Sequence, residues 1–324
     1  MSASIAVAGA GRMGVGIAQA FAYAGLDVVL VDLKPRPSAD ARAVLAAADA
    51  QIAESLAALH ELGILDGAER DSIRGRVTGA DATQAADAFA DAEAVFEAVP
   101  EVMAAKRQAL GHISAHAPAD ALIASTTSTF QVDALAGLVS TPERFLNAHW
   151  LNPPYLMPLV EVSPGAATSR GTVEALLALL QAAGKVPVEV AASPGYIVPR
   201  IQALALNEAA RLAEEGVASP EAIDTASRVG FGLRFALLGL LEFIDWGGAD
   251  TLLRASEYLR AELGSERFAP PSSVIAAGAT DRAAPTFRGR DGEEYRRETI
   301  SRFVGLLRHL DLLPVPGSMR ESTR

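Results

Sequence analysis

Residues 5 to 32 constrain this chain more than any other stretch. Ile5 to Ala8 is an apolar run that stops at Gly9-Ala10-Gly11-Arg12-Met13-Gly14. Ile17, Ala18, Phe21 and Ala22 then recur at helical spacing, Gly25 closes the helix, and Val28 to Val31 form a second apolar run ending on Asp32. A glycine-rich turn alone is common. A strand, a GxGxxG turn, a helix, a second strand and a terminal acid together are the arrangement that holds a dinucleotide. Gly9 permits the tight turn, Gly11 lets backbone approach a pyrophosphate, and Gly14 lets helix and strand pack closely. The pyrophosphate belongs at the helix N-terminus, where free N–H groups and the helix dipole favour an anion. Asp32 can accept hydrogen bonds from both ribose hydroxyls, and its charge repels a 2′-phosphate. NAD is therefore the expected cofactor rather than NADP, a preference that Lys34 and Arg36 weaken.

The α/β alternation continues downstream. Residues 38–62 read as an alanine-rich helix with Leu45, Ile52, Leu56 and Leu59 on one stripe. Ala94 to Val99 reads as a buried strand leading into Glu101, with Lys106 on the following helix. Leu122 to Ala124 is a short strand that runs into Ser125-Thr126-Thr127-Ser128-Thr129. A helix from about Thr172 to Ala183 and a strand from Val186 to Val190 complete the pattern. After Ser193-Pro194-Gly195-Tyr196 nearly everything to Tyr258 reads as helix, followed by a Gly/Ala/Arg loop through 290 and a helix ending at Leu312. The expected architecture is α/β, a Rossmann-type doubly wound sheet followed by a smaller all-helical domain. The boundary falls near residue 191, giving domains 1–190 and 191–324.

Composition limits the partners. A chain of 324 residues exceeds the usual single core, so two domains are expected. With 28 basic and 39 acidic residues the net charge is −11, which argues against a nucleic-acid partner. An anionic small molecule remains compatible, because a local site can be basic in an acidic protein. There is no cysteine, which excludes disulfides, thiolate metal sites and cysteine nucleophiles. No secretory signal and no apolar run of about 18 residues is seen, so no membrane span is expected. The expectation is a soluble, cytoplasmic protein with a small-molecule substrate and no metal site.

The segment Phe145 to Val162, FLNAHWLNPPYLMPLVEV, then raises a problem. His149 and Glu161 both sit in apolar runs, where each is costly to bury unpaired. Of the five histidines, His60, His112, His116 and His309 read as ordinary surface or core residues.

The motifs resemble those of the 3-hydroxyacyl-CoA dehydrogenases. Gly9 to Gly14, EAVPE at 97–101, STTST at 125–129, HWLNPP at 149–154, PLVEV at 158–162 and SPGYIVPR at 193–200 follow that family in order and spacing, over about residues 3–250. The resemblance implies that His149 is the catalytic base, that Glu161 orients and charges it, and that Ser128 binds the substrate oxygen. It also implies that Asn152 lies near nicotinamide and substrate, that Glu101 and Lys106 contact the cofactor, and that the chain is a homodimer through its C-terminal helices. Those residue types suit alcohol oxidation. A hydride leaves carbon while a proton leaves oxygen, and histidine, with a free pKa of about 6.5, suits the proton step. A carboxylate on its far ring nitrogen fixes the tautomer and stabilises the imidazolium. Plainer readings stay open: Ser128 as a turn or cap residue, Glu161 as a solvent-facing edge carboxylate, Glu101 and Lys106 as a solvated pair.

Three departures concern the substrate. Pro199 stands where the acyl-CoA enzymes carry asparagine in GFIVNR-like sequences. GFGLRFALLGLLEFIDWGG at 230–248 is closer to the carnitine, gulonate and lambda-crystallin branch, in which Arg234 could pair with a substrate carboxylate. The alternative for Arg234 is a helix-surface or interface arginine. The glycine-rich tail of the acyl-CoA enzymes is absent between 275 and 290.

Overall fold

The computed structural model describes residues 4–279, 287 and 293–313. Most of the Gly/Ala/Arg loop expected through 290 lies outside these residues.

The strands are β1 (Ser4–Ala8), β2 (Asp27–Asp32), β3 (Val77–Asp81), β4 (Ala94–Glu97), β5 (Leu122–Ser125), β6 (Phe145–Trp150), β7 (Leu159–Pro164) and β8 (Val186–Glu189). They form one sheet in the order β3-β2-β1-β4-β5-β6-β7-β8. Neighbours pair in parallel except β6 with β7, where the chain turns back. The strand order reverses between β1 and β4, and ligands of such sheets bind in the crevice beyond the strand ends at that point.

Helices α1 (Arg12–Tyr23), α2 (Ser38–Glu61), α3 (Gly67–Gly75), α4 (Ala85–Ala90), α5 (Met103–His116), α6 (Val132–Ala136) and α7 (Arg170–Ala182) cover the sheet. The two-residue period of β1 divides them. Ile5 and Val7 face a core with Phe21, Ile52, Leu56 and Leu176, whereas Ala6 and Ala8 face Phe89, Leu110 and Val132. Both faces are thus buried, as a doubly wound sheet requires. Phe21 packs between Phe96 and Trp150, with ring centroids 4.9 and 5.6 Å away. Truncating it to alanine is expected to cost about 3–5 kcal/mol.

The chain divides into two compact units, Met1–Ala205 and Leu206–Arg324, later than the boundary expected near 191. The first turns of α8 (Val198–Glu214) stay with the sheet because Glu161 Oε1 accepts hydrogen bonds from the amides of Ile197 and Val198. The second unit holds the rest of α8, then α9 (Pro220–Thr225), a π-helical turn over Ala226–Gly232, α10 (Leu233–Phe235), α11 (Leu240–Gly247), α12 (Ala249–Leu263), α13 (Ser272–Gly278) and α14 (Glu293–His309). Among its described residues there is no strand. No described helix is long and apolar enough to cross a membrane.

Candidate active site

The GxGxxG turn joins β1 to α1. Gly9 has φ +131°, a conformation that side chains resist, and a Cβ there would lie 2.5 Å from the Ala98 carbonyl oxygen. A Cβ on Gly14 would collide with the Gly9 carbonyl oxygen. Over Gly11 the space is open to beyond 4 Å. Gly11 also caps α1 without a side chain, so the first N–H groups of the helix are left for a ligand. These features fit a pyrophosphate. Asp32 ends β2 at the same cleft, nearly enclosed, and accepts hydrogen bonds from Arg36 Nε at 2.8 Å and the Lys34 amide at 3.4 Å. Its partner Arg36 also lines the cleft, as does Lys34.

The cleft has a volume of about 710 Å³. Gly9, Gly11 and Asp32 line one part, and Glu101, Ser128, His149 and Asn152 line another. His149 and Glu161 are register partners across the antiparallel β6–β7 ladder, so their side chains share one face. His149 Nδ1 lies 2.8 Å from Glu161 Oε2, and both side chains are buried. With Oε1 taken by two backbone amides, Glu161 accepts from every neighbour, and Nδ1 is the donor. Nε2 is left as the basic nitrogen of the ring. The carboxylate is not on an exposed edge: β8 pairs with the other side of β7, Val188 opposite Glu161.

Ser128 is exposed in the cleft, in a turn that Glu101 organises. Glu101 Oε1 accepts hydrogen bonds from the Thr127 hydroxyl, the Thr129 amide at 3.0 Å and the Thr129 hydroxyl at 2.6 Å. Burial raises the Glu101 pKa, but the Thr127 and Thr129 hydrogen bonds and the Lys106 charge outweigh it and hold the carboxyl at about 2. Lys106 does not line the cleft. It is enclosed behind Glu101, with Nζ 3.1 Å from both Glu97 and Glu101, and Glu97 also accepts from Ser125 at 2.5 Å. Lys106 is thus buried against Glu97 and Glu101, whereas Glu101 keeps an exposed side on the cleft.

The loop carrying Asn152 is tied down by Lys185, whose Nζ donates to the carbonyls of Pro154 at 2.7 Å and Met157 at 3.1 Å. Burial pushes the Lys185 pKa down. Pro199 and Gln202 of α8 line the cleft as well. Arg234 lies in the second unit, exposed, where its Nε donates to the Gly230 carbonyl at 2.8 Å and its guanidinium covers the Phe243 ring. Among the described residues, no group of three or more His, Asp or Glu could hold a metal ion.

Sequence reasoning missed Tyr196. Its ring is buried and stacks on His149, centroids 4.9 Å apart and planes 7° apart. The residue lies within the SPGYIVPR motif, but nothing in the local pattern shows that it returns to β6.

A GxGxxG cleft with a terminal acid and a buried His–Glu pair defines a class, the NAD-dependent dehydrogenases acting on hydroxyl groups. Comparison with known proteins narrows it. Residues 4–193 match the NAD-binding domain of 3-hydroxyacyl-CoA dehydrogenase and residues 195–284 its C-terminal domain, so the chain belongs to the 3-hydroxyacyl-CoA dehydrogenase family. It is 36% identical over 266 residues to a probable 3-hydroxybutyryl-CoA dehydrogenase of Bacillus subtilis, covering 82% of this chain and 88% of that one. It is 32% identical over 314 residues to L-carnitine dehydrogenase of Nocardiopsis dassonvillei, covering 95% and 92%. Among solved structures, a 3-hydroxyacyl-CoA dehydrogenase of Archaeoglobus fulgidus superposes with a TM-score of 0.75 at 31% identity, over 96% of this chain and 100% of that one.

Proposed function

We propose that the protein interconverts a short-chain L-3-hydroxyacyl-CoA and its 3-keto thioester, with His149 as general base. The observation that carries this reading is the 2.8 Å His149–Glu161 contact on the wall of the cleft that also holds the GxGxxG turn. NAD, when bound, supplies the hydride acceptor. His149 Nε2 takes the proton from the substrate hydroxyl, and Glu161 stabilises the imidazolium that results. The Ser128 hydroxyl donates to the oxygen as it becomes a carbonyl, and the Asn152 amide helps orient the reacting group. Trp150 and Leu151 line the cleft beside His149 and limit water there. Such a reaction belongs to fatty-acid metabolism, and we place it in the cytoplasm with that compartment's NAD pool. We also propose a homodimer through the C-terminal helices. Leu206, Val217, Phe231, Leu241 and Tyr258 of the second unit are all exposed, and a partner would bury them.

A panel of 3-hydroxyacyl-CoA thioesters and free 3-hydroxy acids, followed by NADH absorbance, tests the substrate. Thioesters should be the better substrates. A second reading, a CoA-free hydroxy acid, is favoured by Pro199, which lines the cleft without a side-chain donor, and by the likeness to L-carnitine dehydrogenase. In that reading Arg234 anchors the carboxylate. Arg234→Met should then lower kcat/KM for a free acid about ten- to a hundredfold, the loss of a charged hydrogen bond worth roughly 1.5–3 kcal/mol. For a thioester substrate the same change should have little effect.

A further inference from the structure

We propose that Tyr196 is a positioning residue for His149, and that residues 195–198 form a clasp holding both members of the His149–Glu161 pair. The inference rests on the reading of His149 as the base.

The ring of Tyr196 lies face to face with the imidazole, 4.9 Å between centroids and 7° between planes. Stacking uses the face of His149 and leaves its edge free, so Nδ1 keeps Glu161 and Nε2 keeps the cleft. A flat neighbour opposes any tilt that would swing Nε2 out of line, and it does so without competing for either nitrogen.

The tyrosine is itself held at its far end. Its hydroxyl donates to the Thr127 carbonyl at 2.9 Å and accepts from Asn147 Nδ2 at 3.1 Å. Asn147 precedes His149 by two residues on β6, so both side chains project from the same face of that strand. Thr127 is the residue before Ser128. One side chain therefore ties the base to the strand that carries it and to the turn that carries the substrate-binding serine. The hydroxyl has no proton to offer: burial pushes its pKa up to about 12, and both of its bonds are already used.

The backbone supplies the other half. Gly195 and Tyr196 take successive left-handed conformations, φ +76° and +46°. That is ordinary for glycine and unfavourable for tyrosine. The turn they make sends the ring onto His149 and the next two amides, Ile197 and Val198, onto Glu161 Oε1. A strained residue that contacts both partners of the pair, one by its ring and one by the amides that follow it, is placed to fix their mutual geometry.

The test compares Tyr196→Phe and Tyr196→Leu. The protein is labelled with ¹⁵N-histidine, and His149→Gln identifies the His149 ring signals. In the wild type and Tyr196→Phe, His149 should be a single tautomer with Nδ1 protonated. In Tyr196→Leu the ring signals should broaden or show both tautomers. Acetoacetyl-CoA with NADH is the kinetic probe. Tyr196→Phe should keep kcat within about fivefold, whereas Tyr196→Leu should lose tenfold or more, with the KM for NADH little changed. Tyr196→Leu with one Nδ1-protonated tautomer and near-normal kcat overturns the clasp. So does a folded Tyr196→Phe as impaired as Tyr196→Leu, since the ring would then not be the active part. The spectra need no substrate and test the clasp alone. If His149→Gln keeps its turnover, the base reading fails and the clasp loses its purpose with it.

Discussion

At His149 the proton on Nδ1 is directed by Glu161, and Glu161 is directed by two backbone amides. That chain of constraints sets what substitution does. His149→Gln should leave the NAD dissociation constant nearly unchanged and lower turnover about a hundredfold or more, the range for losing a general base. Glu161→Gln should be comparably severe. The amides of Ile197 and Val198 hold the glutamine oxygen, so its NH₂ must face His149, where it donates to Nδ1 and moves the ring proton to Nε2. Steady-state kinetics beside NAD titrations check both. At Glu101 the consequence is for stability. Its pKa is lowered from 4.5 to about 2, so its contribution is present above 4.5 and is lost as pH falls toward 2. Glu101→Gln should therefore be less stable than the wild type at pH 6, with the gap closing on acidification. Urea melts at pH 6, 4 and 2.5 would measure it, and a gap that does not narrow contradicts the assignment.

The glycine turn separates two roles that one motif conceals. Gly14→Ala drives a methyl into the Gly9 carbonyl and should cost about 1–3 kcal/mol of stability as well as NAD affinity. Gly11→Ala meets nothing in the protein, so its melting temperature should hold while NAD binding weakens. Thermal melts with and without NAD distinguish them. Elements with strong patterns were legible in the sequence: β1, α1 and β2 through the glycine turn, and α2 through its stripe, where Ile52, Leu56 and Leu59 are buried and Leu45 only partly so. β3 was not. It is an edge strand of five residues, VTGAD, of which only Ala80 is buried, so it carries little apolar signal. The site divides similarly. Local spacing reveals the turn and Asp32, and the histidine segment is legible through its motifs. The burial of Lys106 and the Tyr196 stack depend on contacts between distant segments, which spacing does not encode. The leucine-rich run at 237–243 is not a single helix: the chain breaks between α10 and α11, and within its unit Leu238 alone of those leucines is buried.

For the whole molecule, the exposed apolar side chains of the second unit lead to an oligomeric expectation. Light scattering at micromolar concentration should give about twice the mass of one 324-residue chain, and a mass of one chain would rule out the dimer. A different consequence follows from the reversal of direction between β6 and β7. His149 and Glu161 meet because they are opposite each other in a hydrogen-bonded ladder, and the eight residues 151–158 that join Trp150 to Leu159 do not set that register. Yet this connection supplies Leu151 and Asn152 to the cleft. On the proposed reading, the proton-handling pair and this part of the cleft wall are therefore built on separable parts. The connection can be lengthened, shortened or exchanged with that of a relative, provided the Lys185 anchorage is kept, while the ladder goes on presenting the same pair. If the proposed roles hold, such modularity would let one scaffold change the wall of its cleft without redesigning its acid–base pair.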